Sequence, residues 1–317
     1  MFKFLPLAFV ALPTLALAEV PKVVADIAPV HALAAQVMKG VGTPSLVVRQ
    51  GASPHDYALN PQEAGALQDA DVVIWLGHDL TPWLERRIDG LAPDALSMEL
   101  LDLPETQVLD RREGTLFEAH GHAADEDGDH DQDHDQDHDH GHDHSGAGRD
   151  PHAWLDPQNG AAWLGVIAAE LSRIDPDNAA TYAANAKAGA EDIVQLTAEL
   201  QADLAPLHDR PFIVFHDAYQ YFEQRFDLSA AGAINLSDAT RASADRVAQL
   251  RNAVEAGGIT CAMSEPQFND RLINSVFGDL VKKGVLDPLG SSLPAGPHLY
   301  AGTLRDMAQS FQDCLSD

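Results

Sequence analysis

Two blocks of short apolar runs, each alternating with stretches of helical spacing, constrain the fold of this chain more than any other feature. Before residue 118 the runs are Val23-Val24-Ala25-Asp26-Ile27, Ser45-Leu46-Val47-Val48 and Asp71-Val72-Val73-Ile74-Trp75-Leu76. Near-continuous apolar runs of this length predict strands covered on both faces, as in a parallel sheet flanked by helices. Helices are predicted over 28–38 and 61–70, the second with Asn60 as N-cap and Pro61 in its first turn. The alternation returns as a strand at 211–215, a helix at 218–226, a strand at 260–264 and a helix at 270–283. Two α/β units follow, each with its own parallel sheet.

Residues 177–207, between the blocks, are rich in Ala, Glu, Gln and Leu and contain one glycine, Gly189. They predict a single helix of about 30 residues, roughly 45 Å long, which acts as a strut and not as a hinge. A length of 317 residues also exceeds what one core usually serves, since single cores stop growing near about 250–300 residues. The expected organisation is a first lobe over 19–176, a linking helix over 177–208 and a second lobe over 209–317.

The first residues differ in kind. Met1-Phe2-Lys3 precedes an apolar stretch from Phe4 to Leu17, and Ala16-Leu17-Ala18 stands before Glu19. This reads as a secretory signal over 1–18 with a small-residue cleavage site. The stretch is too short to span a bilayer, and no later one reaches the roughly 18 apolar residues required, so an exported, soluble protein is expected. The formal charge of -29 makes nucleic acid an unsuitable partner. Export bears on the two cysteines, Cys261 and Cys314, for which a disulfide is the leading reading. The rival reading, a pair of thiolate metal ligands, lacks the close Cys-x-x-Cys spacing of a chelate.

Residues 118–149 resemble nothing around them. From Gly121 to Gly148 there is no Val, Ile, Leu, Phe, Trp or Tyr, so nothing offsets the entropy of ordering the segment, and it is expected to be a disordered loop. It carries His120, His122, His130, His134, His138, His140, His142 and His144, the last six threaded between acids. Such a segment suits weak, reversible metal binding: the acids draw cations in and the imidazoles hold them without fixed geometry.

Seven histidines lie elsewhere. Three stand where an α/β protein places ligand-binding groups, at strand ends or on tight loops: His55 in Ser53-Pro54-His55-Asp56-Tyr57, His152 in Asp150-Pro151-His152-Ala153-Trp154, and His216 after Phe212-Ile213-Val214-Phe215. Each alone is more often structural, and spacing does not bring them together. His78 reads as a polar loop residue, and His31, His208 and His298 as surface or capping residues. Glu265, after a strand, reads as a lobe-stabilising acceptor, and Trp154 and Trp163 as core.

Gly51 to Tyr57 followed by Pro61, Pro151 to Pro157, Phe215-His216-Asp217-Ala218-Tyr219, Ser264-Glu265-Pro266-Gln267-Phe268 and Leu286-Asp287-Pro288-Leu289-Gly290 together resemble the ZnuA-like periplasmic zinc-binding components of high-affinity zinc ABC importers. The resemblance covers essentially the whole chain after the leader. It implies two α/β lobes joined by one long helix, with Zn(II) held in the interlobe cleft by His55, His152 and His216. It also implies a fourth position at Asp287 or water; the glutamate that some relatives place before the first histidine is replaced here by Pro54. A monomer working with a membrane permease in the periplasm is the implied context. Three nitrogen ligands suit Zn(II), whereas a manganese site would favour more carboxylate oxygen. The competing function is a zinc hydrolase, since three histidines and water also make a nucleophile, but no His-Glu-x-x-His or Gly-x-Ser-x-Gly occurs.

Overall fold

The computed structural model describes residues 20–112, 116, 148–235, 243–256, 258–268 and 271–316. The predicted leader over 1–18 and the eight histidines from His120 to His144 lie outside the described residues. In the first lobe β1 (Val23–Ala25), α1 (Ala28–Val37), β2 (Ser45–Leu46), α2 (Pro61–Gln68), β3 (Val72–Trp75), α3 (Pro82–Leu91) and β4 (Leu96–Glu99) alternate, followed by α4 (Pro157–Ile174). The strands form a parallel sheet in the order β2-β1-β3-β4. Val23, Val24, Val72, Val73 and Ile74 of its two inner strands are buried, as runs covered on both faces must be. Val47 and Val48 continue the pairing beyond β2 through N–H bonds to Ala25 and Asp26 at 2.9 and 2.8 Å.

The long helix α5 (Ala179–Leu204) has 26 residues, about 39 Å at the usual rise. It is shorter than the predicted 177–207 because each end tightens into a 3-10 turn, Pro176–Asn178 before it and Ala205–Leu207 after it. At the C-terminal end Pro206 lacks the N–H that would continue the α-helical ladder. Gly189 has a packing reason: a Cβ there would stand 2.8 Å from Gln36 Cγ and 2.9 Å from Leu164 Cδ1, so α5 lies close against α1 and α4.

The second lobe repeats the pattern with β5 (Phe212–His216), α6 (Gln220–Phe226), β6 (Ala230–Asn235), α7 (Ala244–Glu255), β7 (Cys261–Ser264), α8 (Arg271–Phe277) and β8 (Lys282–Val285). Its parallel sheet has the equivalent order, β6-β5-β7-β8. The helix predicted over 270–283 is corrected here: α8 stops at Phe277, and Lys282–Val285 is an edge strand. Gly278 ends the helix in a left-handed conformation, φ 53°, the usual C-terminal stop. The last helix, α9 (Leu299–Leu315), packs on β7 and β8 and also on α1 and α5, so it reaches back to the first lobe. Cys261 and Cys314 form a disulfide with Cα atoms 5.8 Å apart, tying β7 to α9. Among the described residues no helix is long and apolar enough to cross a membrane.

Candidate metal centre

In both sheets the strand order reverses beside the first strand of the lobe, and the crevice beyond the carboxyl ends there is where open α/β sheets bind ligands. In the first lobe that position holds Asp26, fully buried after β1, which accepts N–H bonds from Ile27 at 2.7 Å and from Leu76, past β3, at 2.8 Å. Burial pushes its carboxyl up to about 7. In the second lobe the corresponding crevice holds His216, the last residue of β5, whose Nδ1 lies 2.5 Å from Oε1 of Glu265, just past β7. Both groups are buried. Glu265, expected to stabilise the lobe, thus holds the ring of His216.

His152 opens the 3-10 turn Ala153–Leu155 that leads into α4. Asp150 accepts from its backbone N–H at 3.0 Å and contacts its Nδ1 at 2.7 Å. Burial pushes the Asp150 carboxyl up to about 7, against the pull of the His152 N–H and of the charge on Arg112. Asp150 was not singled out from sequence; the signal was its place two residues before a candidate histidine, across Pro151. The turn is anchored across the lobes by Trp154 Nε1, which donates to the Pro288 carbonyl at 2.8 Å, and by the Tyr300 hydroxyl, which donates to the Trp154 carbonyl at 2.8 Å.

His55 sits on the loop between β2 and α2 and is partly buried. Trp83 Nε1 donates to the Pro54 carbonyl at 2.7 Å, and the Tyr57 hydroxyl donates to Glu63 at 2.7 Å. Glu63 and Asn60 also form a capping box at the start of α2, which fixes where the loop ends. The residues flanking His55 are therefore held from both sides.

The three histidines converge. One potential ligand atom from each of His55, His152 and His216 lies within 4.8 Å of the other two, and the ring centroids are 5.3–6.2 Å apart. Ligands about 2.0–2.1 Å from a tetrahedral ion stand about 3.3–3.4 Å from one another; Nε2 of His152 and Nε2 of His216 are 3.4 Å apart. With Nδ1 of both rings against carboxylates, Nε2 is left to face the common point, the arrangement that fixes a metal-binding tautomer. The donor set, three imidazoles from two lobes, fits a borderline divalent cation.

Asp287 lies outside this group. Its carboxylate accepts from the Ser291 N–H and hydroxyl, each at 2.6 Å, from the Leu289 N–H at 3.2 Å and from Gln267 at 3.4 Å. His78 is an exposed loop residue bonded to Glu85 at 2.6 Å, as expected, and His298 is exposed at the N-cap position of α9, its side chain making no cap bond. His31 corrects the surface expectation: it is buried on α1, its Nε2 3.0 Å from the Pro44 carbonyl, because α1 is covered on nearly every side. Trp154 and Trp163 are buried, Trp154 with its ring 5.3 Å from that of His152.

A family model described as "ZnuA: Zinc-uptake complex component A periplasmic" matches residues 23–314. The High-affinity zinc uptake system protein ZnuA of Paracoccus denitrificans (strain Pd 1222) is 47% identical over 309 residues, covering 96% of this chain and 94% of that protein. Its counterpart in Brucella suis biovar 1 (strain 1330) is 45% identical over 305 residues, covering 93% and 91%. Among solved structures, the periplasmic zinc binding protein TroA from Treponema pallidum superposes with a TM-score of 0.75 over 94% of this chain and 99% of that one. At 17% identity that likeness speaks to the fold alone. With the model matched along nearly the whole chain and relatives approaching half identity, the chain belongs to the ZnuA family of periplasmic zinc-uptake components.

Proposed function

We propose that this protein captures Zn(II) outside the cytoplasm and delivers it to the membrane permease of an ABC transporter, working as a monomer in the periplasm after removal of residues 1–18. The observation that carries the reading is the meeting of His55 and His152 from the first lobe with His216 from the second, their ligand atoms within 4.8 Å. The zinc named in the relatives' descriptions supports the choice of metal. We take water as the fourth ligand rather than Asp287, whose carboxylate is occupied by Ser291 and Leu289. Three histidines and water also suit a hydrolase, but the family consists of uptake components, and no residue here is assigned a catalytic step.

In this reading the histidines of the 118–149 segment form an auxiliary collector. They gather cations and pass them to a site whose geometry is already built. Isothermal titration of the full chain beside a form lacking 121–147 tests both parts. One tight zinc is expected in each protein, with the weaker phases absent from the deletion; disappearance of the tight phase would move the principal site into the segment.

Protons compete for the same imidazoles. A metal that needs neutral rings displaces whatever protons they carry, and histidine as a residue type changes charge between about pH 5 and 8. Zinc affinity is therefore expected to fall progressively as pH drops from about 7 to about 5, with proton release visible as a buffer-dependent binding enthalpy. An affinity flat across that range would mean that imidazoles do not hold the ion.

A further inference from the structure

The chain from Gln107 to Arg112 is an arm of the first lobe. Asn159 of α4 holds its start through bonds with the Gln107 N–H at 2.8 Å and the Gln107 carbonyl at 3.0 Å. Further on, Asp110 pairs with Arg149 in an isolated antiparallel bridge. Arg149 is itself fastened to the first lobe, its guanidinium 2.6 Å from both Asp79 and Asp102.

Beyond the bridge the arm leaves its own lobe. Arg112 points into the second lobe, where Nε donates to Asp217 at 3.0 Å, Nη1 and Nη2 donate to Glu223 at 2.7 and 3.0 Å, and Nη2 also contacts Asp217. The three side chains are 18%, 11% and 5% exposed, so solvent screens the pairs only weakly. A guanidinium with both edges on carboxylates also has its orientation fixed.

The place of these acids gives the contact its meaning. Asp217 directly follows His216, in a turn so tight that the Ala218 N–H donates to the His216 carbonyl at 3.0 Å. Glu223 on α6 additionally accepts from the Ala230 N–H at 2.9 Å, joining the helix to the start of β6. Arg112 thus ties a first-lobe arm to the backbone that carries the second lobe's candidate ligand, and its charge also acts on Asp150, the partner of His152.

We propose that Arg112 is an interlobe positioning residue: by gripping Asp217 and Glu223 it sets the distance and orientation of His216 relative to His55 and His152, so that the three rings are arranged before the ion arrives. The inference rests on the three-histidine reading above. Preorganisation of this kind acts mainly on residence time, since affinity differences within one site are mostly differences in release rate.

The test uses the full chain in three forms: wild type, Arg112→Gln and Arg225→Gln. Arg225 bridges the lobes to Asp156 at 2.8 and 2.7 Å but grips no residue next to a candidate ligand, so it reports on general interlobe stability. Zinc release is followed by transfer to a chelator, and ligand geometry by the visible spectrum of the Co(II)-loaded protein. Arg112→Gln is expected to release zinc at least tenfold faster and to shift the Co(II) bands, while Arg225→Gln changes release less than threefold and leaves the bands in place. If Arg112→Gln does not fold, Arg112→Lys, which keeps the charge and loses the fork, is expected to show the same spectral shift with a smaller rate change. Wild-type rate and spectrum in the Arg112 variant, or equal changes in both variants, would overturn the proposal. Absence of tight zinc in the wild type would instead overturn the three-histidine reading.

Discussion

His216→Ala is expected to lose the tight zinc phase while remaining folded. Apparent zinc free energies of about 10–16 kcal/mol for four-ligand sites, divided among the ligands, give about 3–4 kcal/mol each, on the order of 10²- to 10³-fold in Kd. The same titration separates the neighbours of the ion. Glu265→Gln keeps the ring but weakens its hold on Nδ1, 2.5 Å away, and a loss of about 10- to 100-fold is expected. Asp287→Ala is expected to stay within about threefold, because its carboxylate is bonded to Ser291 and Leu289 and water, not this side chain, is the proposed fourth ligand. A loss at Asp287 as large as that at His216 would place the carboxylate on the metal and require Ser291 to let it go.

The second large effect concerns stability and not the ion. Replacing both cysteines by serine frees a loop with a sequence separation of 53, and the chain-entropy model puts the cost at about 4 kcal/mol. Spread over an unfolding entropy of about 2.1 cal/mol/K per residue, that amounts to roughly 6 °C in Tm for a chain of this size. The zinc affinity is expected to stay within about threefold. Cys261 begins β7 and Ser264 ends it, so the disulfide stands about 10 Å along the strand from the end that carries Glu265. A double serine variant melting within about 2 °C of the wild type would mean that the packing of α9, whose Leu304, Met307, Phe311 and Leu315 are buried, already restrains the loop.

How much of this was legible in the sequence depends on burial. Strands β1, β3, β5 and β7 lie inside their sheets, and their apolar runs announced them. The strands that were missed, β4, β6 and β8, are all at sheet edges. Leu-Ser-Met-Glu is only partly buried, Lys-Lys-Gly-Val is largely exposed, and neither carries a β-branched run, so their identity comes from a neighbour's backbone and not from their own side chains. β6, Ala-Ala-Gly-Ala-Ile-Asn, is mostly buried but is built of small residues with low strand preference. The start of α2 was legible because Asn60 and Pro61 act within one turn; Glu63, which completes the capping box, was not singled out.

The candidate metal centre divides in the same way. Each histidine was a candidate by its local setting, but positions 55, 152 and 216 meet only through two sheets and the packing between them, and no local rule encodes that meeting. Asp150 became visible as a partner once the chain was folded around Pro151. Glu265 was noticed for its position after a strand, yet its bond to His216 spans two neighbouring strands and belongs to the tertiary level.

The return of α9 to the first lobe has a mechanical outcome. Besides the polar contacts already described, α5 on the way out and α9 on the way back join the halves of the molecule, with Arg305 of α9 3.4 Å from Glu199 of α5. A wide clam-shell gape would have to shear both attachments at once. Small tilts are the opening that this packing favours, and His55 is the least enclosed of the three rings.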